Sequence, residues 1–466
     1  MNDDSFNDYE ADGEKTLPML QDYANSSSIS TSNGQILNDL SDAHILNAVE
    51  NEERKSRLSF GSNYSISHPQ NSAPMTIFLM INTMIGSGIL NQPYVFKTSG
   101  IFGGLIMFCL ATIATWWGLV CLTASGVETN SLEYGGLSKK AFGMTGEKMI
   151  DVAIVVGSFG SLLGYILIVG DTLSSLLLSW TCDSAACGYV LTTILAVGIF
   201  VTPICMFRHF GHLAFLSVFS VTAIAAVLLL VIIGGPLKYE PNSGAILYFS
   251  PLGMLRSTGS IVFCLSCASA NFQAYITTKK AARTQWVGIT LTAVLIGSVM
   301  CMTMGVIGYL SFRDNTQGEI LDNFTAHGFD FFKVMIVCHL ILYIPVNFVI
   351  MRYSLTKLLL DRRSETLPFT THSFMTIGLL FFTTGFVIMM RQVGLASGEA
   401  FSLILNLTGG IGGCFSSFMF PAAIYIKVFS ERGKSRQALW KEYVLFSFGF
   451  IVMLFVVVIE IMSLIM

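Results

Sequence analysis

Hydrophobic residues form eleven long apolar runs between residue 75 and the end of the chain, with short polar segments between them. About 20 residues of α-helix cross a bilayer core, and each run is of that order. An α-helix also satisfies its own backbone hydrogen bonds in lipid. The pattern therefore predicts an all-α polytopic membrane protein with spans near residues 75–97, 101–125, 149–178, 188–207, 211–235, 258–277, 286–311, 330–358, 372–390, 399–427 and 443–465.

The first run contains a weak point at its centre, Gly86-Ser87-Gly88. Glycine has low helix propensity and leaves the backbone free to unwind. Unwound backbone at membrane depth persists only where it is buried in protein or lines a watery cavity. Polar Asn82 before the triplet and Gln92-Pro93 after it favour a discontinuous helix that binds a ligand. The alternative is that these small residues let two continuous helices pack closely.

The sixth run repeats this feature, because small and hydroxylated residues fill its centre from Phe263 to Ser269. Runs one and six would correspond if helices 1–5 and 6–10 form a 5+5 inverted repeat, with helix 11 appended. Transporters with such repeats place substrate at the midplane, between the interrupted helices. The alternative for this run is that its serines bond back to the preceding helical turn.

The amino-terminal segment differs from the rest, since residues 1–73 hold 12 acidic and 4 basic residues with Ser and Asn clusters. Too little apolar surface is present to offset the entropy cost of ordering. We predict a disordered acidic cytosolic tail over 1–73 and a transmembrane domain over 74–466. Within the tail, Asp42-Ala43-His44-Ile45-Leu46 is similar to an acidic di-leucine signal that trafficking adaptors bind, although such patterns are common by chance.

Charge asymmetry predicts the orientation in the membrane. With a cytosolic N-terminus, 15 Lys and Arg residues lie on the inner side and 6 on the outer side, as the positive-inside rule requires. The C-terminus is then lumenal or extracellular. Two features of the predicted outer loops agree: Asn323-Phe324-Thr325 is a glycosylation acceptor, and Cys182 and Cys187 could form a disulfide in an oxidising compartment.

Four stretches, in order, resemble the amino acid/auxin permease family, which includes neutral amino acid transporters of animals and vacuolar amino acid transporters of fungi. The resemblance covers about residues 74–466. The stretches are Asn82-Thr83-Met84-Ile85-Gly86-Ser87-Gly88-Ile89-Leu90, Gly164-Tyr165-Ile166-Leu167-Ile168-Val169-Gly170-Asp171, Pro345-Val346 with Arg352, Leu355 and Leu358-Leu359, and Phe420-Pro421-Ala422-Ala423-Ile424-Tyr425-Ile426-Lys427.

The resemblance implies an eleven-helix secondary transporter that moves small neutral amino acids by alternating access, coupled to H⁺ or Na⁺. It implies that the backbone of Gly86, Ser87 and Gly88 receives the substrate carboxylate, as the amides that open a half-helix can. Asn82 completes that side of the site. The centre of helix 6 would face the amine and side chain of the substrate through Phe263, Ser266 and Ser269.

One position departs from the sodium-coupled members, which carry Thr where this chain has Tyr343. In those members that Thr and the counterpart of Asn82 are associated with the sodium site, and a phenol does not fit beside a buried cation without rearrangement. We therefore expect proton coupling. Ionisable residues within spans are costly and usually functional, so we predict Asp171 as the proton carrier and Glu460 as the second candidate. Asp171 could instead cap backbone near the outer membrane edge.

Composition and motifs limit the other functions. With 53% hydrophobic and 12% charged residues, the chain is not an ordinary soluble protein. Its seven histidines and its serines show no ligand spacing or nucleophile motif, so we expect no enzyme, cofactor or metal site. The acidic tail argues against nucleic acid. Alternatives are an amino acid-sensing receptor with little flux and a sodium-coupled symporter. The resemblance favours a vacuolar or lysosomal membrane slightly over the plasma membrane.

Overall fold

A computed structural model describes the part of the chain that contains the predicted spans. The described residues are 71–181, 185–206, 213–237, 244–324, 329–361, 367–392 and 397–465. The predicted tail up to residue 70 and Cys182 lie outside them, as does the side chain of Cys187. The disulfide between Cys182 and Cys187 therefore stays a prediction.

Eleven helical spans, α1 to α11, follow one another in this part of the chain. Ten are long and apolar enough to cross a membrane, and the eleventh, α1, is a bent pair of helices. The predicted all-α polytopic fold is therefore confirmed. The bounds are α1a Ala73–Met84 and α1b Gln92–Ser99, α2 Ile101–Glu128, α3 Tyr134–Thr181, α4 Ala185–Leu195 continued to Cys205, α5 Leu213–Leu237, α6a Pro251–Leu265 and α6b Asn271–Thr277, α7 Trp286–Phe312, α8 Asp330–Leu360, α9 Phe369–Gln392, α10 Ser397–Leu407 continued to Glu431, and α11 Trp440–Ile465.

Two membrane faces are defined by the ends of α1. The N-terminal face is the end of the bundle at which α1 begins, and the far face is the end at which it finishes. Successive spans cross in opposite directions. Helices α3 and α9 therefore run from the N-terminal face to the far face, and α6, α8 and α10 run from the far face to the N-terminal face. Large apolar side chains on the outside of the bundle, such as Phe374 and Phe381 at 80% exposure each, suit a lipid environment.

Close backbone packing joins α10 to the helices around it. A Cβ at Gly409 would clash with the carbonyl oxygen of Gly259 in α6a, and a Cβ at Gly118 in α2 would clash with that of Ser417. Only small residues allow helices to approach so closely in a membrane. Helix α10 is also irregular here, with π-helical turns over Thr408–Gly413 and Phe415–Met419, a feature often found at functional sites.

Candidate functional site

The first span is broken where the glycine triplet predicts. Helix α1a ends at Met84, Ile85 and Gly86 leave helical geometry with ψ values of 85° and −146°, and a 3₁₀ turn restarts at Ser87. The two halves are bent by 57°. Because a turn that opens a helix has no preceding carbonyls to accept its first amide hydrogens, these N–H groups remain available for an anion.

The sixth span is broken at the predicted place as well. Helix α6a ends at Leu265, Ser266 is extended with ψ 116°, and Cys267 is also non-helical before a 3₁₀ turn over Ala268–Ala270. Helix α6b then runs from Asn271 to Thr277. Both discontinuous helices of the predicted inverted repeat are therefore present.

The two breaks lie against each other. A Cβ at Gly88 would fall 2.9 Å from Cδ1 of Phe263 and 3.4 Å from Cα of Cys264, so the absence of a side chain at Gly88 lets α1 and α6 touch. A Cβ at Gly86 would fall 2.9 Å from the hydroxyl of Tyr165 in α3. The structure thus brings Gly86, Ser87, Gly88 and Phe263 together, with Tyr165 beside them.

Hydroxyl and amide groups are buried around these breaks. Ser266 Oγ lies 2.9 Å from Ser417 Oγ of α10, and Gln92 Nε2 donates to the carbonyl of Gly88 at 2.7 Å. Ser87 is 2% exposed, yet its Oγ has no hydrogen-bond partner among the described residues. Since buried polar atoms are almost always hydrogen-bonded, the Ser87 hydroxyl is suited to a bound polar ligand.

Tyr343 fills the space between α8 and the first break. Its hydroxyl donates to the carbonyl of Asn82 at 3.2 Å, and its ring packs edge-on against Tyr165 with centroids 5.8 Å apart. The carbonyl of Asn82 therefore already accepts a hydrogen bond from a phenol. Asn82 itself is 6% exposed and lies one turn before the break, as predicted.

Ser269 lies away from the contact between the breaks. It is exposed, as is Gln273 one turn later in α6b. Polar side chains within spans face a watery cavity or the bundle interior rather than lipid. Ser269 is therefore not among the buried groups at the junction of the two breaks.

The two carboxylates predicted as proton carriers lie outside this contact and form ion pairs. Asp171 Oδ1 lies 3.3 Å from Arg391 Nε of α9, near the far face. Glu460 of α11 is 2% exposed, lies 3.6 Å from Arg256 Nε and accepts a 2.9 Å hydrogen bond from Asn406 Nδ2. Asp171 therefore joins α3 to α9, and Glu460 joins α11 to α6 and α10. Their roles as proton carriers stay predictions.

Asn323, the predicted glycosylation site, ends a 3₁₀ turn in the loop between α7 and α8. Its Nδ2 donates to the carbonyl of Asn315 at 2.8 Å, and its Oδ1 accepts from the amide of Gln317 at 3.0 Å. It lies in a loop at the far face, and both its outer location and its modification stay predictions. Within the described ranges no group of three His, Cys, Asp or Glu side chains is placed to hold a metal ion.

Sequence reasoning missed several residues of the site. Tyr165 stands in the third-helix stretch and Ser417 in a Gly- and Ser-rich part of α10, but no pattern indicated which neighbours they contact. Glu319, 3% exposed in the loop between α7 and α8, was not selected because sequence places it outside the spans. A buried acid in a loop carries no periodic signal.

Comparison with known proteins agrees with this architecture. The family model described as "Transmembrane amino acid transporter protein" matches residues 69–466. "Putative sodium-coupled neutral amino acid transporter 11" of Mus musculus is 24% identical over 394 residues, covering 82% of this chain and 84% of that protein. "Vacuolar amino acid transporter 2" of Saccharomyces cerevisiae is 24% identical over 412 residues, covering 83% and 82%.

A solved structure shares the fold. The manganese transporter of Eremococcus coleocola, crystallised as a single-residue mutant, superimposes with a TM-score of 0.51 at 10% identity and covers 83% of this chain and 85% of that one. The family match spans every described helix, and the relatives are transporters rather than enzymes. With eleven spans and two broken helices among its described residues, the chain belongs to the transmembrane amino acid transporter family.

Proposed function

We propose that this protein is a secondary active transporter of small neutral amino acids that works by alternating access around the breaks in α1 and α6. The observation that carries the proposal is the contact between the two breaks, with Gly88 lying against Phe263 and Cys264. Such a junction at mid-membrane is the substrate position of inverted-repeat transporters. The family of the chain and the names of its relatives support an amino acid as the cargo.

The substrate carboxylate would bind at the start of the 3₁₀ turn. The amides of Ser87 and Gly88 open this turn, which continues into α1b, so the positive end of the half-helix dipole points at the ligand. The buried Ser87 hydroxyl adds a donor. On the opposite side, Phe263 and Ser266 would contact the rest of the molecule, and the size of Phe263 favours a short side chain.

Coupling to H⁺ rather than Na⁺ is the second part of the proposal. The hydroxyl of Tyr343 donates a hydrogen bond to the carbonyl of Asn82. This carbonyl lies at the place where sodium-coupled relatives are expected to hold the ion. A bound cation there would need that hydrogen bond to break and the phenol to move. Since Tyr343 also packs edge-on against Tyr165, such a movement would disturb the substrate site as well.

A cytosolic N-terminal face and a vacuolar or lysosomal membrane are part of the same proposal. The excess of Lys and Arg on the N-terminal face supports the orientation. The fungal vacuolar relative supports the location. In an acidic organelle, a proton moving out to the cytosol would drive the amino acid in the same direction.

Uptake into proteoliposomes of the full-length protein tests the function. We expect uptake of labelled amino acid that rises when a proton gradient is directed into the vesicles, with the acid outside. This uptake should persist when Na⁺ is replaced by choline. Competition by all twenty amino acids at two pH values would define the substrate. Uptake that disappears in choline would refute proton coupling, and binding without uptake would favour a sensing receptor.

A further inference from the structure

A short loop packs against α1 and α10 at the far face of the bundle. The plug loop is defined here as residues Arg313–Phe324, the described part of the connection between α7 and α8 that directly follows α7. Asn91 of the first break donates to the carbonyl of Gly318 in this loop at 2.7 Å, and Lys97 of α1b donates to that of Thr316 at 3.0 Å. The plug loop is therefore bonded to the half-helix that carries the proposed carboxylate site.

The plug loop also touches the start of α10. A Cβ at Gly318 would clash with the carbonyl oxygen of Gly398, so backbone meets backbone at this point. Apolar side chains of the loop insert into the bundle, with Ile320 0% and Leu321 1% exposed. The loop is therefore held at the far face by both α1 and α10.

One acid is buried inside the plug loop. Glu319 follows Gly318 directly and is 3% exposed, and its Oε1 has no hydrogen-bond partner among the described residues. A buried carboxylate without a partner is costly, whereas a protonated carboxyl is much less so. Burial itself therefore favours a bound proton on Glu319 while the loop is closed.

The charges around Glu319 lead to the same conclusion. Its electrostatic neighbours are Asp322 of the same loop, Asp171 of α3 and Lys333 of α8, and Arg391 of α9 pairs with Asp171. Three carboxyls thus share a site with two cations. If all five were ionised the site would hold one net negative charge, and one proton neutralises it. Outside this cluster, Lys97 of α1b interacts electrostatically with Asp314 of the plug loop and with Glu399 of α10.

We propose that Glu319 is the proton-binding residue of a far-face gate, and that its protonation holds the plug loop closed over the substrate site. This inference rests on the proposed proton-coupled transport and names the residue that couples. Asp171, ion-paired with Arg391, then positions the site rather than carrying the proton.

The acid–base properties of the loop support this assignment. Burial, followed by the charges of Asp322 and Asp171, raises the pKa of Glu319 well above its usual range. Asp322 is exposed to solvent, and desolvation by the surrounding protein, followed by the Asp171 charge, raises its pKa to about 6. Asp322 could thus pass a proton from the far side to Glu319.

The sign of the pH effect follows from linkage. In the closed state the carboxyl of Glu319 holds its proton to higher pH than it would when the loop opens into water, where its pKa returns to about 4.3. Closure is therefore favoured in acid and lost as the pH rises through the closed-state pKa. Acid on the far side therefore favours the state in which the far face is closed and the substrate site opens to the N-terminal face.

Two transport modes of the full-length protein in proteoliposomes separate coupling from folding. Counterflow measures exchange of labelled amino acid outside the vesicles for unlabelled amino acid inside them, without a pH gradient. Accumulation measures net uptake of labelled amino acid driven by a pH difference. For one proton per amino acid, each pH unit supports about tenfold accumulation. Since Gln stays neutral at every pH, we expect Glu319→Gln to hold counterflow at its acid level at all pH values and to lose accumulation down to the level seen without a pH gradient.

The matched control is Asp314→Asn, an exposed acid of the same loop, which should keep both modes. Lys333→Met provides a second test, because loss of a cation strengthens proton binding and should move the pH midpoint of counterflow upward. If the unmodified protein accumulates with a pH gradient and Glu319→Gln does so equally, the gate assignment is wrong. Loss of counterflow in both Glu319→Gln and Lys333→Met would also overturn it. If the unmodified protein shows no pH-driven accumulation, the proposed coupling itself fails.

Discussion

Replacing Gly86 with alanine tests whether the break in α1 binds the substrate. The added Cβ would lie 2.9 Å from Tyr165 Oη, whereas ordinary contacts of a Cβ are 3.4 Å or longer. Tyr165 is 3% exposed, so its ring has little room to retreat. Overpacking of this kind costs about 1–3 kcal/mol.

The expected result is a weaker affinity for the amino acid. If the cost is borne mainly by the substrate-bound state, where the carboxylate also needs space beside Gly86, the KM for uptake rises about 5- to 150-fold. The assay is uptake by the full-length protein in proteoliposomes over a range of substrate concentrations, with the melting temperature measured on the same preparation.

Two variants complete the experiment. Gly385→Ala in α9 is the matched control, because a Cβ there meets nothing within 4 Å, and it should leave the KM unchanged. Combining Gly86→Ala with Tyr165→Phe removes the clashing hydroxyl and should recover part of the loss, measured as a coupling energy in a double-mutant cycle. A Gly86→Ala protein with unaltered KM and melting temperature would show that the break in α1 is not the binding site.

Further predictions follow from contacts away from the break. Arg352→Met removes charge-assisted hydrogen bonds from a buried guanidinium to α4 and α9, each worth about 1.5–3 kcal/mol, so the melting temperature should fall in a thermal-shift assay; a change within error would contradict this. Asp171→Asn and Arg391→Met break one 3.3 Å ion pair, so the double variant should lose no more transport activity than either single one, and additive losses would argue against the pair. Gly409→Ala drives a Cβ into the carbonyl oxygen of Gly259, so purified yield and monodispersity should drop sharply on size-exclusion chromatography, unlike those of Gly385→Ala.

Much of the fold follows from local sequence signals. Long apolar runs mark the spans because lipid admits only backbones that satisfy their own hydrogen bonds. The break in α1 follows from Gly86 and Gly88, since local helix propensity falls there whatever the surroundings. The break in α6 carried a weaker signal, as its centre contains hydroxyl residues and no glycine between Phe263 and Ser269.

The partners of each residue required the tertiary structure. Sequence indicated Asp171 and Glu460 as buried charges, but the packing of α9 and α6 supplies Arg391 and Arg256 as their partners. The same holds for Tyr343, whose hydrogen bond to Asn82 joins residues 261 positions apart.

The sequence by itself determined the class of protein, the number of spans and the place of the first break, because these depend on apolar length and local backbone freedom. Only the tertiary structure decided that Gly88 meets Phe263 and that Glu319 is buried in the loop between α7 and α8. Burial of a loop acid depends on how distant helices pack, and no local pattern of residues records that packing.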